Sequence, residues 1–423
     1  LHHMPEVVVF AENTEQVAAV VKLANRELIP VVPRGAGTSL ACAVVPIYGG
    51  IVLSLEKMNR ILEINADKLY MIVEPGVRTE YLQQVAKAQG LYYAGDPSSG
   101  DSCFIGGNVA TNAGGNRAVK YGTTRNQVYG FEMVTPQGDI VYLGSRTQKN
   151  TTGYALEQLV MGSEGTLGII TQIMLKLIPA PKHILDLLAI FPDIDSAIAI
   201  VNKIIKAGIT PTCIEYMDNA SIKAVERFLN EKLPYSDVGN YIIVQVEGTS
   251  EEDLEDKAVL LDELCTDNGA LSVLVADSAQ IWKARKAYAD ACRHESLVLG
   301  KEDVVVPTDQ IPALMRTVEE LNKKYGVQAL TTGHAGDGNI HINVLKRDIP
   351  DEVWDKLIVD YQHDLYDVVY KLGGRLSGEH GIGYKRKQLM AEYTDSVVLE
   401  LMRAIKRAWD PNNILNPGKI FDV

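Results

Sequence analysis

The sequence predicts an α+β protein built in consecutive parts, and three observations predict it. Apolar strand-like runs separated by glycine-rich loops fill residues 1–180. A proline linker, Pro179-Ala-Pro-Lys182, then precedes a β-α-β-β-α-β order of elements, and from Gln280 onward the pattern turns helical. With 423 residues, 46% of them hydrophobic, the chain can bury large cores and should divide into two or three domains.

Taken in order, Val7–Phe10 reads as a strand, and Asn13 can cap a helix whose apolar face is Val17, Val20, Val21 and Ala24. Ile29–Val32 is then a strand entering Arg34-Gly-Ala-Gly-Thr-Ser39. The runs Ile51–Leu55, Met71–Glu74 and Gly168–Ile173 recur among glycine-rich loops, as in a mixed α/β domain. Beyond the linker the predicted order is strand 184–191, helix 195–207, strands 213–217 and 241–246, helix 251–267 and strand 271–275, which is the order of a ferredoxin-like sheet. Helices follow near 280–286, 310–325 and 351–372, and Ile340–Leu345 reads as a strand. Trp282 is expected in a core rather than stacked on a cofactor. The turn-rich Trp409–Lys419 is too specific in composition for a frayed tail.

A net charge of −13 and a pI near 5.2 argue against nucleic acid or an anionic membrane as a partner, because the long-range field repels polyanions. Cys42, Cys103, Cys213, Cys265 and Cys292 are scattered without a C-x-x-C pair, so neither an iron–sulfur cluster nor a disulfide framework is indicated. That usage suits the cytoplasm. No run approaches the roughly 20 apolar residues of a membrane span, and Leu1-His-His-Met-Pro5 lacks the basic-then-apolar pattern of a signal peptide.

Three segments offer backbone N–H groups on flexible glycine-rich chain: Pro33–Ser39, Ile105–Gly115 and Gly162–Gly168. One such loop would mean a tight turn; three in one domain favour a bound dinucleotide. A nicotinamide Rossmann site competes, since Gly35-Ala-Gly37 supplies two glycines of its fingerprint. The third glycine is missing, and no clear helix opens at the loop.

The later motifs read as a metal site. His334 and His341 bracket the turn Ala335-Gly-Asp-Gly338, and Glu379-His380 sits in a second glycine-bounded loop. Alternation along Ile340–Leu345 places His341 and Asn343 on one face and Ile340, Ile342 and Val344 on the other. Two imidazoles and a carboxylate suit Zn²⁺, Fe²⁺ or Mn²⁺ with positions left open for a small anionic chelator. The alternative is that the histidines hydrogen-bond within a core turn.

Pro33-Arg-Gly-Ala-Gly-Thr-Ser-Leu40, the Ile105–Gly115 loop with Tyr121-Gly122, Gly162-Ser-Glu-Gly-Thr-Leu-Gly-Ile-Ile170, His334–His341, Ser377-Gly-Glu-His-Gly381 and Asn416-Pro-Gly-Lys419 together resemble the FAD-linked glycolate oxidase subunit and D-lactate dehydrogenase family. The resemblance spans nearly the whole chain. It implies a two-part FAD-binding domain of the vanillyl-alcohol-oxidase type over 1–180 and a ferredoxin-like substrate cap with the metal site over 181–380. A helical segment over 381–423 would then return to the FAD domain.

The resemblance further implies that Arg34, Gly35, Ala36, Gly37, Thr38 and Ser39 hold the FAD pyrophosphate, and that Pro97, Ser98, Gly106, Gly107, Thr111, Asn112 and Gly115 line the cofactor cleft, with Glu164, Gly165, Ile170 and Asn416 alongside. No histidine lies between His3 and His183, so FAD is expected to be non-covalent, with Cys103 the remaining attachment point to weigh. By the same resemblance His334, His341 and Glu379 are metal ligands, Asn343 is a neighbouring polar contact and His380 is the catalytic base. Arg285 and Lys301 are candidates for the substrate carboxylate, against the plainer readings of a solvated helix charge and a surface charge.

The expected reaction is FAD-dependent oxidation of a small D-2-hydroxy acid, D-lactate or glycolate, to the 2-oxo acid. Electrons would pass to a protein partner such as an electron-transferring flavoprotein. D-2-hydroxyglutarate dehydrogenase and a non-catalytic flavin carrier with a structural metal are the alternatives.

Overall fold

The computed structural model describes residues 3–275 and 278–423; Leu1 and His2, at the start of the segment read above for a leader, lie outside the described residues. The chain forms two compact units. One comprises residues 1–115, 121–180 and 379–423, the other 116–120 and 181–378.

Among the described residues the first unit holds three sheets. Strands β1 (Val7–Phe10) and β2 (Val31–Arg34) lie parallel on either side of β3 (Ile51–Ser54). The crossover from β1 to β2 is the helix Thr14–Glu27, which a parallel pair requires. Asn13 caps this helix by accepting from the Gln16 N–H at 2.9 Å, and Val17, Ala18, Val21 and Ala24 are buried on its inner face.

A five-stranded antiparallel sheet follows in the order β4 (Ile61–Asn65), β5 (Tyr70–Val73), β9 (Ile169–Lys176), β7 (Val128–Val134), β8 (Ile140–Gly144). Its core includes Met71, Phe131, Met133 and Ile173, with Ile105 and Val109 from the short helix Ile105–Thr111. A third, two-stranded pair joins β6 (Leu91–Tyr92) to β10 (Ile178–Pro179). The chain's last stretch belongs to this unit: Val31 N–H donates to Ile414 O at 2.7 Å, and Asn416 N–H to Val31 O at 2.8 Å, so residues 414–416 extend along β2.

Among the described residues the second unit is built on one seven-stranded sheet. Its first four strands are β11 (His183–Phe191), β12 (Cys213–Met217), β13 (Asn240–Gly248) and β14 (Ser272–Val275), ordered β14-β11-β13-β12 with antiparallel neighbours. That is the ferredoxin-like arrangement expected from the sequence. An additional helix, Asn219–Leu229, stands between β12 and β13; Asp218 caps it by accepting from Ser221 N–H at 2.6 Å.

Beyond β12 the sheet continues through β16 (Gln328–His334), β17 (Asn339–Leu345) and β15 (Leu299–Val305). β15 and β16 lie between the helices read after residue 280, where the sequence reading assigned no strand before 340. The helices Asn219–Leu229 and Ser278–Glu295 pack on the face that carries Leu188, Ile190, Met217, Ile243, Leu330 and Leu345, and Trp282 packs against this core, as expected. Among the described residues no helix is long and apolar enough to cross a membrane.

Candidate active site

In the first unit the three glycine-rich loops meet. Gly165, at φ +75°, lies so close to Pro33 that an added Cβ would stand 2.5 Å from the proline ring, while Gly35 faces Phe104 and the Gly107 N–H. The third loop is tied to the second by Gly162 N–H to Val109 O at 3.2 Å and Glu164 N–H to Ala110 O at 2.8 Å. A Cβ on Gly107 would meet nothing within 4 Å, so here the backbone is bare. Ser163 Oγ is buried beside this junction without a hydrogen-bond partner in the chain. Bare backbone and an orphaned hydroxyl, gathered from separate loops, fit the phosphate oxygens of a dinucleotide.

Other predicted cofactor residues serve the cradle from behind. Asn416 is buried, its amide donating to Ala43 O at 3.0 Å and Glu164 O at 2.7 Å, while Lys419 donates to its Oδ1 at 3.2 Å. It clamps loops together. Asn112 takes left-handed backbone at φ 50° and accepts from Thr123 Oγ1 and Arg125 N–H, which fixes the end of the Ile105–Thr111 helix. Ile170 sits in the core of the five-stranded sheet, and Thr111 Oγ1 bonds back to Gly107 O at 3.0 Å. Gly115, at φ +147°, leaves no room for a side chain against the Asp96 carbonyl just before Pro97 and Ser98. Cys103 is buried against Thr79 Oγ1 at 3.3 Å, and none of the five cysteines, all of them among the described residues, is in a disulfide.

Glu379 and His380 lie in this same unit, Glu379 Oε1 standing 3.7 Å from His380 Nε2. Both are placed by the loops. A Cβ on Gly114 would come 2.8 Å from Glu379 Oε2, and Ile382 N–H donates to Glu164 Oε1 at 2.8 Å.

The second unit gathers a different set. His334 ends β16 opposite Asn339, and His341 on β17 faces Thr332 on one side and Asp303 of β15 on the other. Directly opposed residues point to one face, so Glu215, Thr332, His334, Asn339, His341, Asn343, Lys301 and Asp303 share it. This is the face that is apolar at Leu330 and Leu345; it turns polar toward the β16–β17 turn. Gly338, at φ +87°, closes that turn where a Cβ would collide with Val306 O.

The two imidazoles stand edge to face with ring centroids 5.3 Å apart. His334 Nδ1 is 2.7 Å from Glu215 Oε1, a contact with a buried carboxylate that favours the Nδ1–H tautomer. His341 Nδ1 lies 3.5 Å from Asp303 Oδ1, and Asp303 itself accepts from Asn339 Nδ2 and Ser377 Oγ, both at 2.7 Å. Glu215 and Asp303 are both 0% exposed. Paired imidazoles backed by buried carboxylates are a donor set suited to a divalent cation.

Arg285, from the helix Ser278–Glu295, is not a solvated helix charge. It is buried, and its Nε and Nη2 contact Glu215 Oε2 at 2.9 and 2.8 Å, which leaves Nη1 as the nitrogen Glu215 does not take. The same helix supplies Tyr288, whose hydroxyl accepts from Asn343 Nδ2 at 2.9 Å and donates to Leu330 O at 2.7 Å. Asn343 is thereby locked in place. Lys301 is half-buried, and burial lowers its pKa, with Arg293 adding to the shift. Sequence reasoning missed Glu215 and Asp303. The signal for Glu215 was a lone carboxylate in the otherwise apolar strand Cys213–Met217.

Residues 180–420 match the family described as FAD linked oxidases, C-terminal domain, and residues 5–144 match the FAD binding domain. The D-lactate dehydrogenase of Anaerostipes hadrus is 40% identical, the alignment covering 98% of this chain and 89% of that protein. The glycolate oxidase subunit GlcD of Bacillus subtilis is 35% identical over 99% and 89%, and the D-2-hydroxyglutarate dehydrogenase of Stutzerimonas stutzeri 34% over 99% and 91%. Among solved structures, p-cresol methylhydroxylase with substrate bound matches with a TM-score of 0.82 at 20% identity, over 99% of this chain and 89% of that one. The fold is therefore that of the vanillyl-alcohol-oxidase type of flavoprotein, as the sequence predicted. With both family matches covering most of its length and a relative 40% identical over 98% of it, the chain belongs to the FAD-linked oxidases.

Proposed function

We propose that this protein oxidises a small 2-hydroxy acid to the 2-oxo acid, D-lactate first and glycolate next, and passes the electrons to a separate protein acceptor such as an electron-transferring flavoprotein. The observation that carries the reading lies in the first unit: Glu379 packs at Gly114 and the backbone two residues beyond His380 is bonded to Glu164, so the Glu379–His380 segment is tethered to two of the three glycine-rich loops. A titratable imidazole fastened to a dinucleotide cradle is where an alcohol must lose its proton. The names and identities of the aligned relatives support the substrate class and the D configuration.

His380 takes the hydroxyl proton as general base, a role worth roughly 10²–10⁴-fold in rate. FAD, when bound, supplies the acceptor for the hydride that leaves the α-carbon. His334, His341 and Glu379 are the proposed holders of a divalent cation, which would supply a Lewis acid to lower the hydroxyl pKa. Ser377 and Gly378 are fastened to Asp303, the latter by Gly378 N–H to Asp303 O at 3.1 Å. Asp303 is His341's neighbour in the sheet, and Glu379 follows Gly378 directly. Lys301 and the Nη1 edge of Arg285 are the proposed cations for the substrate carboxylate, with Asn343 a fixed polar neighbour.

The test is anaerobic mixing of the FAD-loaded protein with D- and L-lactate, glycolate, malate and D-2-hydroxyglutarate, read by loss of flavin absorbance. D-lactate or glycolate should bleach the flavin, and His380→Ala should keep FAD but lose the bleaching. A flavin that none of these acids reduces would leave a non-catalytic carrier as the better reading. Addition of an electron-transferring flavoprotein should then reoxidise the flavin; absence of transfer removes that partner.

A further inference from the structure

We infer that Glu164 is a positioning residue for His380: its side chain anchors the Gly381–Ile382 backbone to the loop Gly162–Gly168, so that the base and the cofactor cradle form one mechanically continuous piece. The inference deepens the reading above and rests on it for the role of His380.

Glu164 is set for this in an unusual way. It is a non-glycine residue at φ 54°, a left-handed conformation that costs roughly 1–3 kcal/mol unless its surroundings over-determine it. They do. Its N–H donates to Ala110 O at 2.8 Å, its carbonyl accepts from Asn416 Nδ2 at 2.7 Å, and Gly165 after it is pressed on Pro33. The side chain therefore leaves the cradle in one direction, where Oε1 accepts the Ile382 N–H at 2.8 Å.

The apposition is close. A Cβ on Gly381, at φ +80°, would stand 2.7 Å from the same Oε1, so glycine is required directly after His380 for the carboxyl to reach the backbone. Glu164 Oε2, in contrast, is buried with no hydrogen-bond partner. Structural need alone does not explain a half-satisfied carboxyl at this depth, because an unpaired buried acceptor is destabilising by about 1–3 kcal/mol. Burial pushes this carboxyl up to about 7, against the pull of the Ile382 and Gly383 amides and of the Lys419 and Arg386 charges.

The rest of the segment is tied to the first loop: Tyr384 and Lys385 N–H both donate to Ala41 O, at 2.9 and 3.1 Å, and Arg386 Nη1 to Gly381 O at 3.3 Å. Ile420 N–H completes the fastening at Gly383 O, 2.8 Å away. Glu164 is the side-chain anchor two residues from the base. Loosening it would shift the imidazole while sparing the cradle, and a misplacement of about 1 Å in a reacting group can lower a rate about 10²-fold.

The experiment uses the FAD-loaded full chain as wild type, Glu164→Ala and Glu164→Gln, with two readouts: hydrogen exchange of the peptide spanning 379–386, and anaerobic flavin reduction by D-lactate. Glu164→Ala should lose protection at the Ile382 amide by about 10-fold or more and slow flavin reduction at saturating substrate by 10- to 100-fold, with little change in half-saturation. Glu164→Gln keeps an acceptor for Ile382 and should restore both within about threefold. Unchanged exchange in Glu164→Ala, or equal slowing in both variants, overturns the inference.

Should Glu164→Ala lose FAD, Glu164→Asp replaces it, since the shortened side chain withdraws the carboxyl from Ile382; full protection there also overturns the inference. Wild-type flavin that no 2-hydroxy acid reduces would instead count against the proposed reaction, while the exchange measurement still decides whether Glu164 holds the segment.

Discussion

Removing the Glu215 carboxylate should damage the second unit more than any surface change, and the structure sets the size of the effect. Glu215 accepts from Arg285 Nε and Nη2 at 2.9 and 2.8 Å and from His334 Nδ1 at 2.7 Å, at a site with no solvent exposure. In Glu215→Ala the Arg285 guanidinium stays buried without its counter-ion, a situation that typically destabilises by about 3–5 kcal/mol. His334 also loses the acceptor that fixes its tautomer, so affinity for a bound divalent cation should fall about 10- to 100-fold. The double variant Glu215→Met/Arg285→Met removes both charges and should recover most of the stability, though not the cation affinity.

The assay is urea unfolding in the presence of chelator, followed by tryptophan fluorescence, since Trp282 and Trp354 both belong to this unit. Metal content after dialysis against Zn²⁺ or Mn²⁺ reports the second effect. A loss below about 1 kcal/mol in Glu215→Ala, or a double variant no more stable than the single one, would refute the buried-pair argument.

Three further outcomes follow from the geometry. His334→Ala and His341→Ala should each abolish retention of a divalent cation in equilibrium dialysis while leaving the flavin spectrum intact, because neither residue lies in the glycine-rich loops proposed to hold FAD. Gly165→Ala forces a Cβ to 2.5 Å from Pro33 at φ +75°, and should cost about 1–3 kcal/mol in thermal unfolding and weaken FAD retention in gel filtration. Stability should also depend on Glu164. Its folded pKa of about 7 lies above the usual 4.5, so between those pH values the unfolded chain has released a proton that the folded chain still holds. Stability therefore falls as pH rises from about 4.5 to about 7, by on the order of 3 kcal/mol, and Glu164→Gln should flatten that slope in urea titrations. Lys419, depressed to about 8 by burial, acts with the opposite sign above that pH.

The elements that the sequence predicted well are those whose local signals agree. The Asn13-capped helix, the strands at 7–10, 51–54 and 213–217 and the helix at 251–267 each join a clear period to a cap or turn. The errors fall where function breaks the pattern. β15 reads Leu-Gly-Lys-Glu-Asp-Val-Val, three successive charges in a strand, because Lys301 and Asp303 face the histidines while Glu302 turns to the other side and accepts from Tyr366 at 2.6 Å and Gln362 at 2.7 Å. Those partners come from a helix 60 or more residues away, so no local window could license a charged strand. The helix Asn219–Leu229 escaped for a different reason: its cap, Asp218, also binds Thr331 in a distant strand and reads locally as a turn.

By itself the sequence determined the chemistry that was available: glycine loops that can approach phosphate, two histidines around a glycine turn, and a glutamate–histidine pair between glycines. Residue type and short spacing are local, and backbone freedom at glycine is a property of the residue itself. The tertiary structure alone decided which of these groups are held and by what. Glu215 and Asp303 reach the histidines only through strand register, across separations of 119 and 38 residues. Glu164 reaches Ile382 across 218. Such contacts depend on burial and pairing that no neighbouring residue encodes, which is why a charge read as substrate-binding, Arg285, proved also to be the counter-ion of a carboxylate the sequence had left unmarked.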